Sequence, residues 1–211
     1  MLVHAVDAGR HKVREPVKVG LAVATAELVE LAVEQRITLD GLHLVVEDQQ
    51  PIGHVLCDAA LAALAGTARR NAMASWITKR GDQHLLNRYT AFLEHQGVLR
   101  VQRPADGRRL ARVELVNRTA DEPNQPRAVH EAYELLTHAA GLAPAPSQSP
   151  PAQNTSTEPM EPTDRMPGQT ALSIARFGAR LVADPPKTAD WTDYSAKASR
   201  QGNWSPWGFL S

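Results

Sequence analysis

Arginine and lysine side chains are concentrated in three parts of this sequence, and they are the residues best suited to binding chemistry. Guanidinium and ammonium groups bind phosphate through charge-assisted hydrogen bonds, whether the phosphate belongs to a lipid or to a nucleic acid. The formal net charge is zero, so each cluster could equally be a solvated surface balanced by acidic residues elsewhere. The clusters are Arg10, Lys12, Arg14 and Lys18; Arg69, Arg70, Lys79, Arg80 and Arg88; and Arg100, Arg103, Arg108, Arg109 and Arg112.

Residue patterns of familiar catalytic and metal sites do not occur in the sequence. The eight histidines show no pair spaced to share a metal, and neither a Gly-x-Ser-x-Gly motif nor a glycine-rich phosphate loop is present. Cys57 lies in an apolar helical segment, which favours a small buried side chain over a nucleophile. We therefore expect a binding module that is not an enzyme and uses no metal and no cofactor.

The composition is typical of a globular protein. Of the 211 residues, 43% are hydrophobic and only 5% are aromatic, so leucine, valine and alanine must build most of the core. The single cysteine is typical of a reducing compartment. No segment reaches the roughly 20 apolar residues of a membrane-spanning helix, and the N-terminus lacks a signal-peptide pattern. We expect a cytoplasmic protein that associates with membranes only peripherally.

Hydrophobic periodicity predicts helices and two β-hairpins. The first helix, residues 17–35, is apolar on most faces, and its stripe of Glu27, Glu30 and Glu34 is interpreted as solvated. Asp40-Gly41 predicts a tight hairpin turn, Asp82 a helix N-cap and Gly97 a helix C-cap. Further helices are predicted over 54–64, 71–79 and 127–140, and the strands of a second hairpin over 98–103 and 110–116. The fold class is mainly α, a single helical domain with surface β-hairpins.

The character of the sequence changes after residue 142. Residues 143–168 consist mostly of Pro, Ser, Thr, Gln and Ala, and such a segment buries too little apolar surface to offset the entropy of ordering it. We therefore expect a helical domain over residues 1–142 and a disordered Pro/Ser/Thr-rich linker over residues 143–168. Residues 169–211 are expected to form a poorly structured tail that could contain a short helix.

A helix followed by a basic hairpin is also the plan of a winged helix, with residues 103–109 as the wing. A DNA-reading helix normally presents several polar or basic side chains to the major groove. The helix before the hairpin offers Arg88 as its one firm cation. A winged-helix-like nucleic-acid or protein-interaction domain is therefore kept as the alternative function.

Six sequence blocks, in their order and spacing, resemble the Golgi phosphoprotein three family and in particular its bacterial members. The blocks lie at 7–10, 26–39, 51–61, Trp76, 93–100 and 135–142. The resemblance covers residues 1–142. It implies a mostly helical domain with surface hairpins and a non-enzymatic peripheral membrane protein. It also implies binding of phosphatidylinositol 4-phosphate in a basic pocket.

The resemblance directs attention to particular cations. The family's basic residue on the buried helix corresponds to Ala24 here, so other cations must take its place. The headgroup candidates are Arg14, Lys18, Arg80, His84 and Arg88, and the membrane-contact candidates on the second hairpin are Arg103, Arg108 and Arg109. Because the tip of this hairpin is basic, we expect it to contact the membrane surface without deep insertion.

The expected partner is an anionic phospholipid membrane surface. In eukaryotic members the family recruits cytoplasmic tails of Golgi glycosyltransferases, so a protein client or a second copy of the chain is a further candidate. Nucleic acid is not expected as a partner. A family member that has lost its ligand is a third reading, and the sequence leaves it open.

Overall fold

Six helices and seven short strands are formed by the residues that the computed structural model describes, which are 5–7, 12–13, 15–66, 71–102, 112–116, 127–142 and 167–186. The helices are α1 (Pro16–Val33), α2 (Val55–Ala65), α3 (Met73–Arg80), α4 (Gln83–His95), α5 (Arg127–Ala139) and α6 (Pro167–Ala183). The strands are β1 (Val6–Asp7), β2 (Lys12–Val13), β3 (Ile37–Asp40), β4 (His43–Val46), β5 (Asn71–Ala72), β6 (Leu99–Gln102) and β7 (Arg112–Leu115). The predicted fold class, mainly helical with surface hairpins, is confirmed.

Helix α1 lies at the centre of the fold, where it packs against each of the other five helices. Its sequence is apolar on most faces, so it can be surrounded by neighbours without leaving polar groups uncompensated. Pro16 occupies the first helical position, where its missing N–H costs no hydrogen bond. The buried apolar side chains of α1 are Val19, Leu21, Ala22, Val23, Ala24, Leu28, Val29, Leu31 and Ala32.

The first hairpin pairs β3 with β4 in antiparallel register, and β5 adds a third strand beside β4. Asp40 pairs with His43, so the two-residue turn is Gly41–Leu42, one position later than Asp40-Gly41. Gly41 has a φ of 61°, a conformation that glycine adopts at no steric cost. This residue therefore fixes the position of the turn.

The second hairpin pairs β6 with β7, and β6 packs against α4. Helix α4 ends at His95, Gly97 follows two residues later with a φ of 71°, and Val98 donates a backbone hydrogen bond to the carbonyl of Leu93 at 2.9 Å. This arrangement is the glycine C-cap that the sequence predicted. Residues 103–111, between the two strands, lie outside the described residues. The membrane-contact candidates Arg103, Arg108 and Arg109 are among them.

Helix α6 coincides with the possible short helix of the predicted tail, but it packs into the core, which the sequence did not predict. It spans 17 residues, packs along α1 and α5, and buries Ala171, Ile174, Ala175 and Val182. A Cβ atom at Gly178 would lie 2.2 Å from Cγ2 of Thr25, so the two helices approach closely there. The folded unit thus extends beyond residue 142. Residues 143–166 and 187–211 lie outside the described residues.

Candidate functional site

A solvent-open cavity of about 260 Å³ lies at the corner between α3 and α4. Basic side chains dominate the described residues that line it. Lysine and arginine side chains can bind phosphate groups through charge-assisted hydrogen bonds. We call it the α3–α4 cavity, and its lining residues are Lys79, Arg80, Asp82, His84, Leu85 and Arg88.

The local sequence explains why these side chains meet. Helix α3 ends with Lys79 and Arg80, and helix α4 begins three residues after Arg80. Asp82 caps α4 by accepting a hydrogen bond from the backbone N–H of Leu85 at 2.9 Å, as the sequence predicted. The last turn of one helix therefore lies beside the first turns of the next.

Gly81 anchors this corner on the central helix. A Cβ atom there would lie 2.9 Å from backbone atoms of Gly20 in α1. The absence of a Cβ atom at Gly81 thus allows the α3–α4 link to approach the backbone of α1 more closely than another residue would permit. The position of the cavity relative to the core is set by this contact.

The electrostatics of the cavity favour an anion. Lys79, Arg80 and Arg88 carry positive charge, and Asp82 carries the one carboxylate among the described lining residues. That carboxylate is engaged in capping α4. The first turn of α4 adds backbone N–H groups and the positive end of the helix dipole. Together these groups can hold a phosphate by charge and by hydrogen bonds.

Arg80 also forms a buried ion pair with Glu27 of α1. Its Nε donates to Glu27 Oε2 at 2.9 Å and its Nη2 to Oε1 at 3.1 Å, while the exposed fractions of the two side chains are 14% and 0%. Tyr89 donates a longer hydrogen bond of 3.4 Å to the same carboxylate. We call this contact the Glu27–Arg80 pair. The interpretation of the glutamate stripe as solvated is therefore wrong for Glu27.

Burial and the contacts within the cluster together shift the pKa values of Glu27, Arg80 and Tyr89. Desolvation raises the pKa of Glu27 above its ordinary value, although the hydrogen bonds and positive charge of Arg80 act in the opposite direction. Burial acts to lower the pKa of Arg80, but Glu27 outweighs it and raises that pKa. Burial also raises the pKa of Tyr89, so its hydroxyl keeps its proton and donates to Glu27.

The other two glutamates of the stripe differ from Glu27. Glu30 is half-buried and accepts a hydrogen bond from the hydroxyl of Tyr133 on α5. Glu34 is exposed at the end of α1. The three residues share a helix face, but their depth depends on which neighbouring helix covers each turn.

The structure brings together three of the five headgroup candidates, Arg80, His84 and Arg88, in the α3–α4 cavity. Lys18 is half-buried in the first turn of α1 and does not line the cavity. Arg14 lies outside the described residues. Lys79 lines the cavity but was not among the candidates, although its position beside Arg80 could have indicated it.

Three further findings concern the described residues. Within the described ranges, no group of three or more His, Cys, Asp and Glu side chains could hold a metal ion. Likewise, none of the helices seen in this part of the chain is long and apolar enough to cross a membrane. Cys57 is 2% exposed, and burial raises the pKa of its thiol to about 12, which fits the predicted small buried side chain.

Comparison with known proteins identifies the family. No curated protein matches the chain. A family model described as Golgi phosphoprotein 3 matches residues 1–155, which include α1 to α5 and both hairpins, while α6 lies beyond the matched segment. The match covers most of the 211 residues, and its range includes all six sequence blocks noted above. The chain therefore belongs to the Golgi phosphoprotein 3 family.

Proposed function

We propose that this protein is a non-enzymatic peripheral membrane module that binds the phosphorylated headgroup of an anionic phospholipid in the α3–α4 cavity. The family resemblance makes phosphatidylinositol 4-phosphate the first ligand to test. The observation that carries the proposal is the convergence of Lys79, Arg80 and Arg88 on one open cavity beside the N-terminus of α4.

The cavity matches a phosphate in charge and in access. Lys79 and Arg88 are exposed, so a headgroup can reach them from a membrane surface without any rearrangement of the core. Arginine provides parallel N–H donors for phosphate oxygens, and lysine provides a mobile point charge. The two side chains thus combine orientation with attraction.

The strength of attachment follows from the number of cations. Each lysine or arginine close to an anionic bilayer contributes about 1 kcal/mol. A site with a few cations therefore gives reversible binding, as a peripheral protein requires. In this proposal Arg103, Arg108 and Arg109 of the second hairpin add contacts with the membrane surface.

Packing of α4 favours this function over the winged-helix alternative. One side of α4 packs against α1, and the ring of His54 lies against Tyr89 and Phe92, with centroids 6.4 and 5.4 Å away. A recognition helix needs a free polar face to enter the major groove. The exposed side of α4 instead presents Asn87, Arg88, Ala91 and His95, of which Arg88 alone is an arginine or lysine, and Arg88 lines the cavity.

Vesicle sedimentation with the full chain tests the proposal. The vesicles are phosphatidylcholine alone, phosphatidylcholine with phosphatidylserine, and phosphatidylcholine with phosphatidylinositol 4-phosphate at matched total charge. The Lys79→Ala/Arg88→Ala variant should bind the phosphoinositide vesicles roughly 30-fold more weakly, because two contributions of about 1 kcal/mol are lost. As a control, Arg180→Ala removes one positive charge from an exposed position of α6 outside the cavity and should retain most of the binding.

The outcomes of this experiment distinguish the proposed headgroup site from the alternative functions. Selective binding that is lost in the cavity variant supports a headgroup site. Equal binding to both anionic vesicles, unchanged in the cavity variant, would indicate an unspecific charged surface and contradict the proposal. Binding to duplex DNA without any preference for anionic vesicles would favour the winged-helix alternative.

A further inference from the structure

The guanidinium of Arg80 is shared between the interior of the protein and the α3–α4 cavity. Its Nε and Nη2 donate to Glu27, and Nη2 also donates to the carbonyl oxygen of Leu56 at 3.4 Å. The same side chain lines the cavity. These bonds leave Nη1 as the guanidinium nitrogen that contacts neither Glu27 nor Leu56.

Arg80 differs from the other cations of the cavity in its depth. Lys79 and Arg88 are exposed and keep much of their hydration, whereas the side chain of Arg80 is only 14% exposed. Charges attract more strongly where water is excluded, so Arg80 is the cation from which a bound phosphate would gain most. Its charge is nevertheless balanced by the fully buried carboxylate of Glu27.

We propose that Glu27 and a phosphate group in the α3–α4 cavity compete for Arg80, so that Glu27 limits the phosphate affinity of the cavity. This inference rests on the proposed function. Glu27 holds the Nε and Nη2 donors that a phosphate would need for a bidentate contact, and each anion reduces the attraction of the guanidinium for the other. Tyr89 gives Glu27 a second donor, which holds the carboxylate when its bonds to Arg80 lengthen.

If Glu27 competes with phosphate for Arg80, the phosphate affinities of the wild type and two variants should follow a particular order. A role of Glu27 in positioning Arg80 predicts a different order. In Glu27→Gln the side chain keeps its size but loses its charge, so Arg80 is no longer neutralised. Binding should tighten by at least about fivefold, the lower end of the range typical for coupling within a protein. In Glu27→Gln/Arg80→Met both charges are absent, and the affinity should return to within about twofold of the wild type. If Glu27 instead held Arg80 in a productive position, Glu27→Gln would bind more weakly than the wild type.

The experiment is a calorimetric titration of the full chain and both variants with inositol 1,4-bisphosphate, alongside inorganic phosphate and vesicles containing phosphatidylinositol 4-phosphate. A gain in Glu27→Gln with inositol 1,4-bisphosphate and with the vesicles supports competition for a lipid headgroup. A gain with inorganic phosphate but not with the vesicles supports competition for free phosphate. A wild type that binds while Glu27→Gln binds equally or more weakly overturns this inference alone. Absence of binding by the folded wild type and both variants overturns the proposed function as well.

A measurement on the unaltered protein covers the case in which Glu27→Gln does not fold. Because the Nε–H of Arg80 donates a hydrogen bond to the buried Glu27, it should exchange slowly with water and be observable by nitrogen-15 NMR. Saturating inositol 1,4-bisphosphate should shift this signal and accelerate its exchange with water, because the bond to Glu27 weakens. The exposed Arg180 provides the control signal, which should not change. An Arg80 signal that stays constant while the ligand is bound contradicts competition.

Discussion

Replacement of Arg80 by methionine should show how strongly the fold depends on compensation of the buried Glu27. Methionine keeps the apolar length of the side chain but leaves Glu27, whose side chain is 0% exposed, without the counter-ion it has in the wild type. Burying an ionised carboxylate without a partner is more costly than protonating it, so Glu27 takes up a proton in the folded variant. The free energy of that protonation therefore sets the pH-dependent part of the loss of stability.

The magnitude follows from the ordinary glutamate pKa of 4.5. At pH 7 the protonation costs about 1.4 kcal/mol for each of about 2.5 pH units, or about 3.4 kcal/mol in total, and at pH 5 about 0.7 kcal/mol. Burial raises the pKa of Glu27 and Arg80 opposes that rise in the wild type, so without Arg80 the folded variant binds this proton at a higher pH than either the wild type or the unfolded chain. By linkage, the variant regains stability relative to the wild type as the pH falls from 7 towards 4.5.

Urea unfolding followed by circular dichroism at pH 7 and pH 5 measures both values. The Glu27→Gln/Arg80→Met variant is the matched control. It should be within about 1 kcal/mol of the wild type and lack this pH dependence, because replacing both members of a buried ion pair is often neutral. A loss in Arg80→Met that is equal at both pH values would refute the reasoning, since it would not arise from the carboxylate of Glu27.

Three further predictions concern packing, backbone conformation and thiol chemistry. Gly178→Ala should lower the free energy of unfolding by about 1–3 kcal/mol in urea titrations, because the new Cβ would overlap Thr25. Adding Thr25→Ala to this variant should recover part of the loss. An unchanged free energy of unfolding in Gly178→Ala would contradict the close helix contact. Gln35 has a φ of 56° at the end of α1, so Gln35→Gly should raise the midpoint of thermal unfolding by relieving about 1 kcal/mol of strain. Gln96→Gly, at a φ of −74° after α4, should not raise it, and an equal gain at both sites would exclude strain as the cause. Burial raises the pKa of the Cys57 thiol from 9.0 to about 12. At pH 8 the folded protein should therefore react with Ellman's reagent roughly 10³-fold more slowly than the urea-unfolded chain, because the thiolate is the reactive form. Comparable rates would contradict the burial of this thiol.

Local features of the fold were predictable because their causes lie within a few residues of one another. The N-cap at Asp82, the C-cap at Gly97 and the hairpin at Gly41 depend on side chains and backbone angles of their own segments. The helical periods of α1 and α4 show the apolar faces that must be buried. The order and spacing of short blocks were sufficient to indicate the family, which the match over residues 1–155 shows.

The candidate site could be predicted only in part. Arg80, His84 and Arg88 were selected because they lie close together in the sequence around one helix boundary, and the same proximity brings them to one cavity. Lys18 is distant from them in sequence, and its orientation depends on the direction in which α1 enters the core. A pattern of residue types does not contain that information.

Glu27 shows which properties of this protein follow from local sequence and which depend on the packing of its helices. Its spacing from Glu30 and Glu34 determined that the three lie on one face of α1. Whether that face meets water depends on α3 and α4, which bring Arg80 and Tyr89 to Glu27 across 53 and 62 residues of chain. The burial of α6 also depends on tertiary structure. Its apolar face is buried only because the helix packs against α1, where Gly178 lies close to Thr25. Local sequence determines helices and caps through interactions between near neighbours, whereas burial depends on contacts between distant segments that form together in the folded chain.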